Sequence, residues 1–357
     1  MVKVLSAVLF SILWAASCAA QSSVAPLSLT AQETELLRLA ARAPSPYNSQ
    51  PWQIRAENGR WQLSLRPEAL SPQTDQDSSQ YVLAAGAFLE NLRLAAGAAG
   101  LGLYYRVPAQ SASDKTLVEL YFDTAAPTGF DVSVLEDRRT LRENFSGKPL
   151  SEDDVRYLTA HRPAAFAYFT ASSPQGLCLS SAAYSAYAAQ LARGAAQDEL
   201  SRWIRWSDKA AWLNRDGLTP DALEISGFGG WMARSFFNQK TVLKKSFGED
   251  MLNTAKEQTQ QGAGWFALVS ADSSPAALIE AGRWLELLLL KARSRNVALH
   301  PMSQAVEEAG FAQRLEECGV PGAQLLLRAG YVSAYPEPVT LRREPSQFAV
   351  QPQTEKH

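Results

Sequence analysis

The sequence predicts an α+β protein made of two related halves, with a long insertion in the second. Three observations carry this. Apolar residues follow helical spacing in some segments and alternate in others, so helices and strands are interleaved. Two long helical segments match at a constant offset. Gly86, Leu89, Glu90, Leu92 and Leu103 recur as Gly282, Leu285, Glu286, Leu288 and Leu299, each 196 positions later. The spacing inside the halves differs. Thr30 to Gly86 spans 56 positions and Ser151 to Gly282 spans 131, so about 75 extra residues lie in the second half.

The elements follow in order. Thr30-x-x-Glu33 is a capping-box pattern, and it opens a helix carrying Leu36, Leu37 and Leu39. Trp61-Gln-Leu63-Ser-Leu65 alternates as a half-buried strand does, and Leu117–Phe122 reads as a second strand. Between them a helix runs from about Tyr81 to Ala99 and stops at Gly100. In the second half Ser151-x-x-Asp154 opens another helix. Phe166–Thr170 and Trp265–Val269 read as strands, Ala276–Ser294 as a long apolar helix, and Gln324–Leu327 as a late strand. The insertion is placed at about 190–262, a stretch holding Trp203, Trp206, Trp212, Trp231 and the turn-like Gly227-Phe-Gly-Gly230. Insertions of that length are often lids or binding loops. The halves are expected at about 28–130 and 131–345, with a flexible tail over 346–357.

The chain has 357 residues, 46% of them hydrophobic and 20% charged, which is ample for a sizeable core. With 34 Lys and Arg against 36 Asp and Glu, the formal charge of −2 gives no electrostatic footprint for nucleic acid. Three Cys and three His, none at metal-ligand spacing, argue against a zinc site. Cys178 and Cys318 read either as a disulfide or as two small buried apolar side chains. The reactive group is therefore expected to be a bound cofactor, or hydroxyls, carboxylates and Arg.

Lys3, the apolar run Val4–Trp14 and the small residues through Ala20 have the order of a secretory signal over residues 1–20. The run is shorter than the roughly 20 residues a membrane span needs. Two readings of its processing stand side by side: lipid attachment at Cys18, or cleavage after Ala20. Either gives an exported protein, periplasmic or a lipoprotein, and a short anchor helix is the bland alternative. There is no twin-Arg pair.

Four motifs carry chemistry. Ala43-Pro-Ser-Pro-Tyr-Asn-Ser-Gln-Pro-Trp52 is a stiff polar loop after the first helix, with Ser45, Asn48 and Gln50 able to present hydrogen bonds to a flat heteroaromatic ligand. Its bland reading is a Pro-rich turn that leads Trp52 into the core. Asp137-Arg-Arg-Thr-Leu-Arg142 concentrates three Arg beside Thr140, suited to bidentate phosphate binding or to a solvated, ion-paired run. Arg342-Arg343, after Gly330-Tyr331, is a weaker second phosphate clamp. Leu299-His-Pro-Met-Ser-Gln304 suggests a tight loop with outward backbone N–H groups, and His300 alone reads as a hydrogen-bonded structural residue.

Together these motifs resemble the FMN-dependent nitroreductase family, over roughly residues 28–345. That family has an R-R-S-x-R element, an A-P-S-x-x-N-x-Q-P-W loop and a G-Y strand followed by basic residues. Arg138-Arg139-Thr140-x-Arg142 matches the first with Thr for Ser, and Pro44–Trp52 matches the second closely. The order is unusual. The first half has the Asn48 loop but no Arg motif before it, and the second has the Arg motif but Pro163-Ala-Ala-Phe166 in place of the loop. This is similar to the duplicated Acg-like branch, two fused halves forming a pseudo-dimer, so a monomer with one FMN is expected.

The resemblance implies a nitroreductase-like fold. It implies that Arg138, Arg139, Thr140, Arg142, Arg342 and Arg343 hold the phosphate and ribityl end. Pro44, Ser45, Pro46, Asn48 and Gln50 would line the isoalloxazine, and the Pro301, Met302 and Ser303 backbone would approach its N5 or O4 edge. It implies flavin-borne ping-pong chemistry with NAD(P)H or another donor and a nitroaromatic or quinone acceptor, with no side chain needed as a base. A lidded protein that sequesters FMN without turnover is the alternative, and an exported non-flavin binding protein whose Trp residues form the contact surface is the third.

Overall fold

The computed structural model describes residues 29–57 and 60–350. The expected signal segment, Cys18 included, lies outside the described residues, as do residues 351–357.

Helix α1 (Ala31–Ala40) starts as its sequence dictates: Thr30 Oγ1 accepts from Glu33 N at 3.2 Å, and the Glu33 carboxylate accepts from Thr30 N at 2.8 Å. Its Leu36, Leu37 and Leu39 are buried. Strands β1 (Trp52–Glu57) and β2 (Arg60–Leu65) form a hairpin. Helix α2 (Ser79–Ala98) follows, then β3 (Leu101–Arg106) and β4 (Val118–Thr124). The short α3 (Ser133–Glu136) leads to α4 (Glu152–Thr159) and β5 (Phe166–Thr170). Six helices come next: α5 (Pro174–Ala192), α6 (Gly194–Trp203), α7 (Asp208–Asn214), α8 (Gly227–Phe236), α9 (Gln239–Val242) and α10 (Lys245–Gln260). The chain then runs through β6 (Gly264–Val269), α11 (Pro275–Ser294) and β7 (Val297–Pro301). It continues with α12 (Gln304–Glu307), α13 (Phe311–Glu317) and β8 (Ala323–Tyr331), and β9 (Ala349–Val350) is the last strand.

The duplication is visible in topology. The first sheet runs β3-β4-β2-β1-β9 and the second, read from its other edge, β7-β8-β6-β5. Without β9 the two orders are the same. Helices α2 and α11 both have 20 residues and start 196 positions apart. They cross in direct contact, where the Gly86 and Gly282 backbones meet. Helix α2 is apolar almost all round and buried along most of its length, as a central helix must be.

Three features differ from expectation. The inserted segment begins near residue 171 rather than 190, because β5 and β6 are joined through α5–α10, whereas the corresponding β1 and β2 are joined by a tight hairpin. Helix α5 is not part of a loose lid. It packs on the outer face of the second sheet and is pinned to the end of α13 by a Cys178–Cys318 disulfide, Cα–Cα 5.5 Å.

The tail expected from residue 346 starts later. Phe348 and Ala349 are fully buried, β9 pairs in parallel with Ile54–Arg55, and Phe348 O accepts from Ile54 N at 2.9 Å. The end of the second half thus completes the sheet of the first. Lastly, β8 runs on to Tyr331, because Arg328, which ends the apolar run in sequence, is itself buried.

Candidate functional site

The loop after α1 is held in an uncommon backbone state. Tyr47, Asn48 and Gln50 all have positive φ (52°, 55° and 53°), although none is glycine. Non-glycine residues pay of order 1 kcal/mol each there, so such clusters mark places where the surrounding structure over-determines the chain. Ser45 Oγ steadies the loop by accepting from Gln50 N at 3.0 Å.

The end of α1 leaves carbonyls without helical partners, and cations are favoured there. Two guanidiniums from far along the chain use them. Arg138 Nη2 donates to Arg42 O at 3.1 Å, and Arg342 Nε donates to Ala41 O at 2.8 Å. Arg342 Nη1 also donates to Thr340 Oγ1 at 2.7 Å. Burial, with Arg138 and Arg42 close by, brings the Arg342 pKa down to about 9. The nearest counter-charge is Glu286 on α11, fully buried, 3.7 Å from Arg138 and with neither oxygen hydrogen-bonded among the described residues. Burial raises its pKa to about 7, against the pull of Arg138.

Arg138, Thr340 and Arg342 line one cavity of about 690 Å³, inside the range of small-molecule and cofactor sites. Its floor is the crossing of the two central helices, with Leu83 and Ala84 from α2 and Leu285 from α11. Of the residues expected at the site, Pro44, Ser45, Pro46, Asn48, Arg138, Arg139, Thr140, Arg142, Pro301, Met302, Ser303 and Arg342 line it.

Gln50 and Arg343 do not, and they do a different job. The Gln50 amide donates to Arg215 O at 2.7 Å and its oxygen accepts from Arg343 N at 2.7 Å. The Arg343 guanidinium pairs with Asp216, which also holds Arg205 at 2.6 Å. Asn48 borders the cavity, yet its amide nitrogen serves Gly217 O and Leu341 O at 3.3 and 3.1 Å, leaving Oδ1 buried and unpartnered. The strained loop therefore clamps the insertion through residues 215–217.

The insertion closes the cavity from above. Tyr187, Leu200, Ile204, Leu223, Phe247 and Met251 all reach it. Its base is fixed to the first half, where the Glu199 carboxylate accepts from Gln73 N and Thr74 N at 3.1 and 3.0 Å. Arg142 ties in from below, its Nη1 donating to Ala222 O at 2.6 Å.

The Pro301–Ser303 segment ends β7 rather than forming a separate loop. Pro301 has no N–H and Met302 N donates to Leu326 O at 2.8 Å, so Ser303 supplies the available backbone donor. His300 also lines the cavity, buried, its Nδ1 3.3 Å from the Arg328 guanidinium. Burial, with Arg142 and Arg328 nearby, holds it neutral, well below the usual imidazole range.

Arg42, which sequence reasoning gave no role, lies close to Arg138 and Arg342 without lining the cavity. That reasoning noted Glu286 as a repeat match but gave it no role at the site.

No family model matches the chain. A protein of Mycobacterium tuberculosis named "Putative NAD(P)H nitroreductase" is 25% identical over 330 residues, which cover 89% of this chain and 91% of that one. In sequence the chain is similar to a protein of that name across most of its length. A second M. tuberculosis protein of that name, acg, is 41% identical over 64 residues, 18% of this chain and 19% of its own. Among solved structures, the FMN-dependent nitroreductase NfnB of Mycobacterium smegmatis in complex with NADPH is 14% identical at a TM-score of 0.35. It covers 58% of this chain and 92% of that one. A Bacteroides fragilis nitroreductase with bound FMN is 12% identical at a TM-score of 0.33, covering 59% and 94%.

Proposed function

We propose that this chain binds one FMN in the cavity between its halves and acts as an exported NAD(P)H-dependent oxidoreductase. The observation that carries the reading is Arg138 and Arg342 together on the cavity wall, with Arg42 close to both and the buried Glu286 3.7 Å from Arg138. Close guanidiniums with too little counter-charge are suited to a phosphate dianion. The unpartnered Asn48 Oδ1 at the cavity wall is an acceptor waiting for a ligand donor. The residues present fit the cofactor.

In this reading Arg138, Arg342 and Thr140 hold the phosphate and ribityl end. Pro44, Ser45, Pro46 and Asn48 position the ring system, and the Ser303 N–H faces its polar edge. The chemistry that FMN supplies when bound is two-electron transfer from donor to acceptor. The chain's own work is orientation, exclusion of water by the insertion, and electrostatic support for negative charge. His300, neutral and committed to Arg328, holds its proton rather than passing it on. A reduced nicotinamide donor and a nitroaromatic or quinone acceptor would occupy the cavity in turn. One chain with one site makes a monomer acting as its own dimer. The Cys178–Cys318 disulfide supports export, since such bonds persist in oxidising compartments. Membrane attachment through a lipid on Cys18 belongs to the same proposal.

A second reading is favoured by a specific observation, the insertion folded over the cavity and tied down at Arg215–Gly217. It describes a protein that keeps FMN without turning over. One experiment separates the two. The purified chain is loaded with FMN and mixed anaerobically with NADPH. Bleaching of the flavin absorption supports the enzyme, and an unbleached, protein-bound flavin supports sequestration. Failure to retain added FMN at all would refute both.

A further inference from the structure

The insertion has an outer face that the cavity does not use. On α8, Phe228 and Trp231 stack with ring centroids 5.6 Å apart, and Phe236 meets Trp231 edge-on at 5.8 Å. Helix α7 carries Trp212 and Leu213. An Arg234–Asp208 contact of 3.3 Å joins the two helices one turn from Trp231 and Trp212. These five side chains are between 54% and 77% exposed, whereas Gly230 and Ala233 on the opposite side of α8 are buried. Folding has therefore turned the largest apolar groups of both helices outward.

The patch is set in positive charge. Residues 205–245 hold seven Lys and Arg against four Asp and Glu, and two of the seven, Arg215 and Lys245, pair with Glu344 and Glu249 beyond that stretch, leaving a formal surplus of +1 on a chain whose total is −2. Asp216, Asp208 and Asp221 are occupied by Arg205, Arg343 and Arg234. Lys209, Lys240 and Lys244 are exposed, with no carboxylate in salt-bridge range among the described residues. Aromatic and aliphatic side chains on short helices, with unpaired lysines on α7 and α9, suit shallow insertion at a lipid headgroup boundary.

The area decides against a second copy or a protein partner. Five such side chains offer roughly 600 Å². A stable protein interface needs about 800 Å² on each side. Shallow lipid insertion has no such threshold. Among the described residues no helix is long and apolar enough to cross a membrane, so contact through this face is peripheral.

We propose that the α7–α8 face docks the protein on an anionic lipid surface. Phe237, next to Phe236, lines the cavity, so docking brings the cavity's covering segment to the membrane. The docking does not depend on the FMN reading.

The test uses the full chain with vesicles of phosphatidylcholine alone or mixed equally with phosphatidylglycerol. At low salt, sedimentation should show at least tenfold tighter binding to the anionic vesicles, lost progressively as salt rises. The variant F228S/W231S/F236S should lose that binding, and K209Q/K240Q should lose the anionic preference. Unchanged circular dichroism and Tm would show that each is folded. Brominated lipid should quench the wild-type fluorescence more than that of W212F/W231F. That readout separates the face from any lipid on Cys18, which all these proteins would share. Equal binding to both compositions, or equal quenching in W212F/W231F, would overturn the proposal. So would a lipid-free dimer that F228S/W231S/F236S abolishes, which would assign the face to self-association.

Discussion

Replacing Gly282 by alanine would drive a methyl group into the backbone of the facing helix. A Cβ there would lie 1.9 Å from Leu83 O and 2.9 Å from Gly86 Cα. Neither obstacle is the end of a flexible side chain, so relief requires the two central helices to part by about 1 Å, enough to restore ordinary packing distances. Overpacking of a core typically costs about 1–3 kcal/mol, and a backbone-to-backbone clash belongs at the upper end. A loss of about 3 kcal/mol should lower Tm by roughly 4 °C in a chain of this length.

Gly86→Ala meets Ile279 O at 2.2 Å across the same crossing. Whichever substitution comes first opens the gap for the second, so the double variant should cost about 1–2 kcal/mol less than the sum. Gly248→Ala is the control. It is helical, with nothing nearer than Gln197 Nε2 at 3.8 Å, and should gain about 0.5–1 kcal/mol. Urea unfolding of the four variants reads all of this. A Gly282→Ala protein with wild-type Tm, or additive single costs, would refute the reasoning. Because Leu83 and Leu285 form the cavity floor, the Gly86 and Gly282 variants should also retain less FMN.

Further outcomes follow from the site and its supports. Arg138→Ala should weaken FMN retention by about 1.5–3 kcal/mol, a charge-assisted contact, read by equilibrium dialysis; unchanged retention would refute the phosphate assignment. Glu286 holds a proton in the folded chain that the unfolded chain has lost between its ordinary value of 4.5 and about 7, so its contribution to stability falls as pH rises through that window. Glu286→Gln should remove up to about 3 kcal/mol of that decline, measured by urea unfolding at pH 5 and pH 8. Equal slopes would count against it. Cys318→Ser opens a loop of 140 residues and should cost about 2–5 kcal/mol, with a reductant lowering Tm of the wild type but not of the variant. Asp216→Asn leaves Arg205 and Arg343 without their shared carboxylate, and limited proteolysis within the insertion should accelerate at least tenfold.

Much of the fold was legible because it is governed by local rules. The Thr30 capping box, the stop at Gly100 and the strand at Phe166–Thr170 follow from chain-local chemistry. The paired long helices follow from a repeat that any comparison of the sequence with itself exposes. What was not legible depends on contacts distant in sequence. Strand β9 is two residues long and exists because Ile54 offers a sheet edge about 300 positions earlier. Helix α5 looked like ordinary chain before the insertion, since nothing local marks the point at which β5 and β6 part company. At the site, twelve of the fourteen expected positions line one cavity. Gln50 and Arg343 sit behind the wall because their partners, Arg215 and Asp216, belong to an insertion whose placement no motif encodes.

The two halves differ at equivalent places of the repeat. Glu90 and Glu286 occupy equivalent places on the central helices, and both are fully buried. Glu90 is satisfied: Arg283 pairs with it at 2.8 Å and Arg93 holds it from the next turn. Among the described residues Glu286 has one guanidinium in ion-pair range, Arg138 at 3.7 Å. The loops diverge in the same sense. Pro46–Asn48 carries positive φ, whereas its counterpart Pro163–Ala165 is an unstrained turn with none. A side that has neutralised its buried acid and relaxed its loop is a structural element. A side that keeps an underpaired carboxylate, crowded guanidiniums and a strained loop bears costs that the proposed ligand between the halves would offset. Duplication within one chain allows this asymmetry, because each half can change without altering the other, which two identical subunits cannot do.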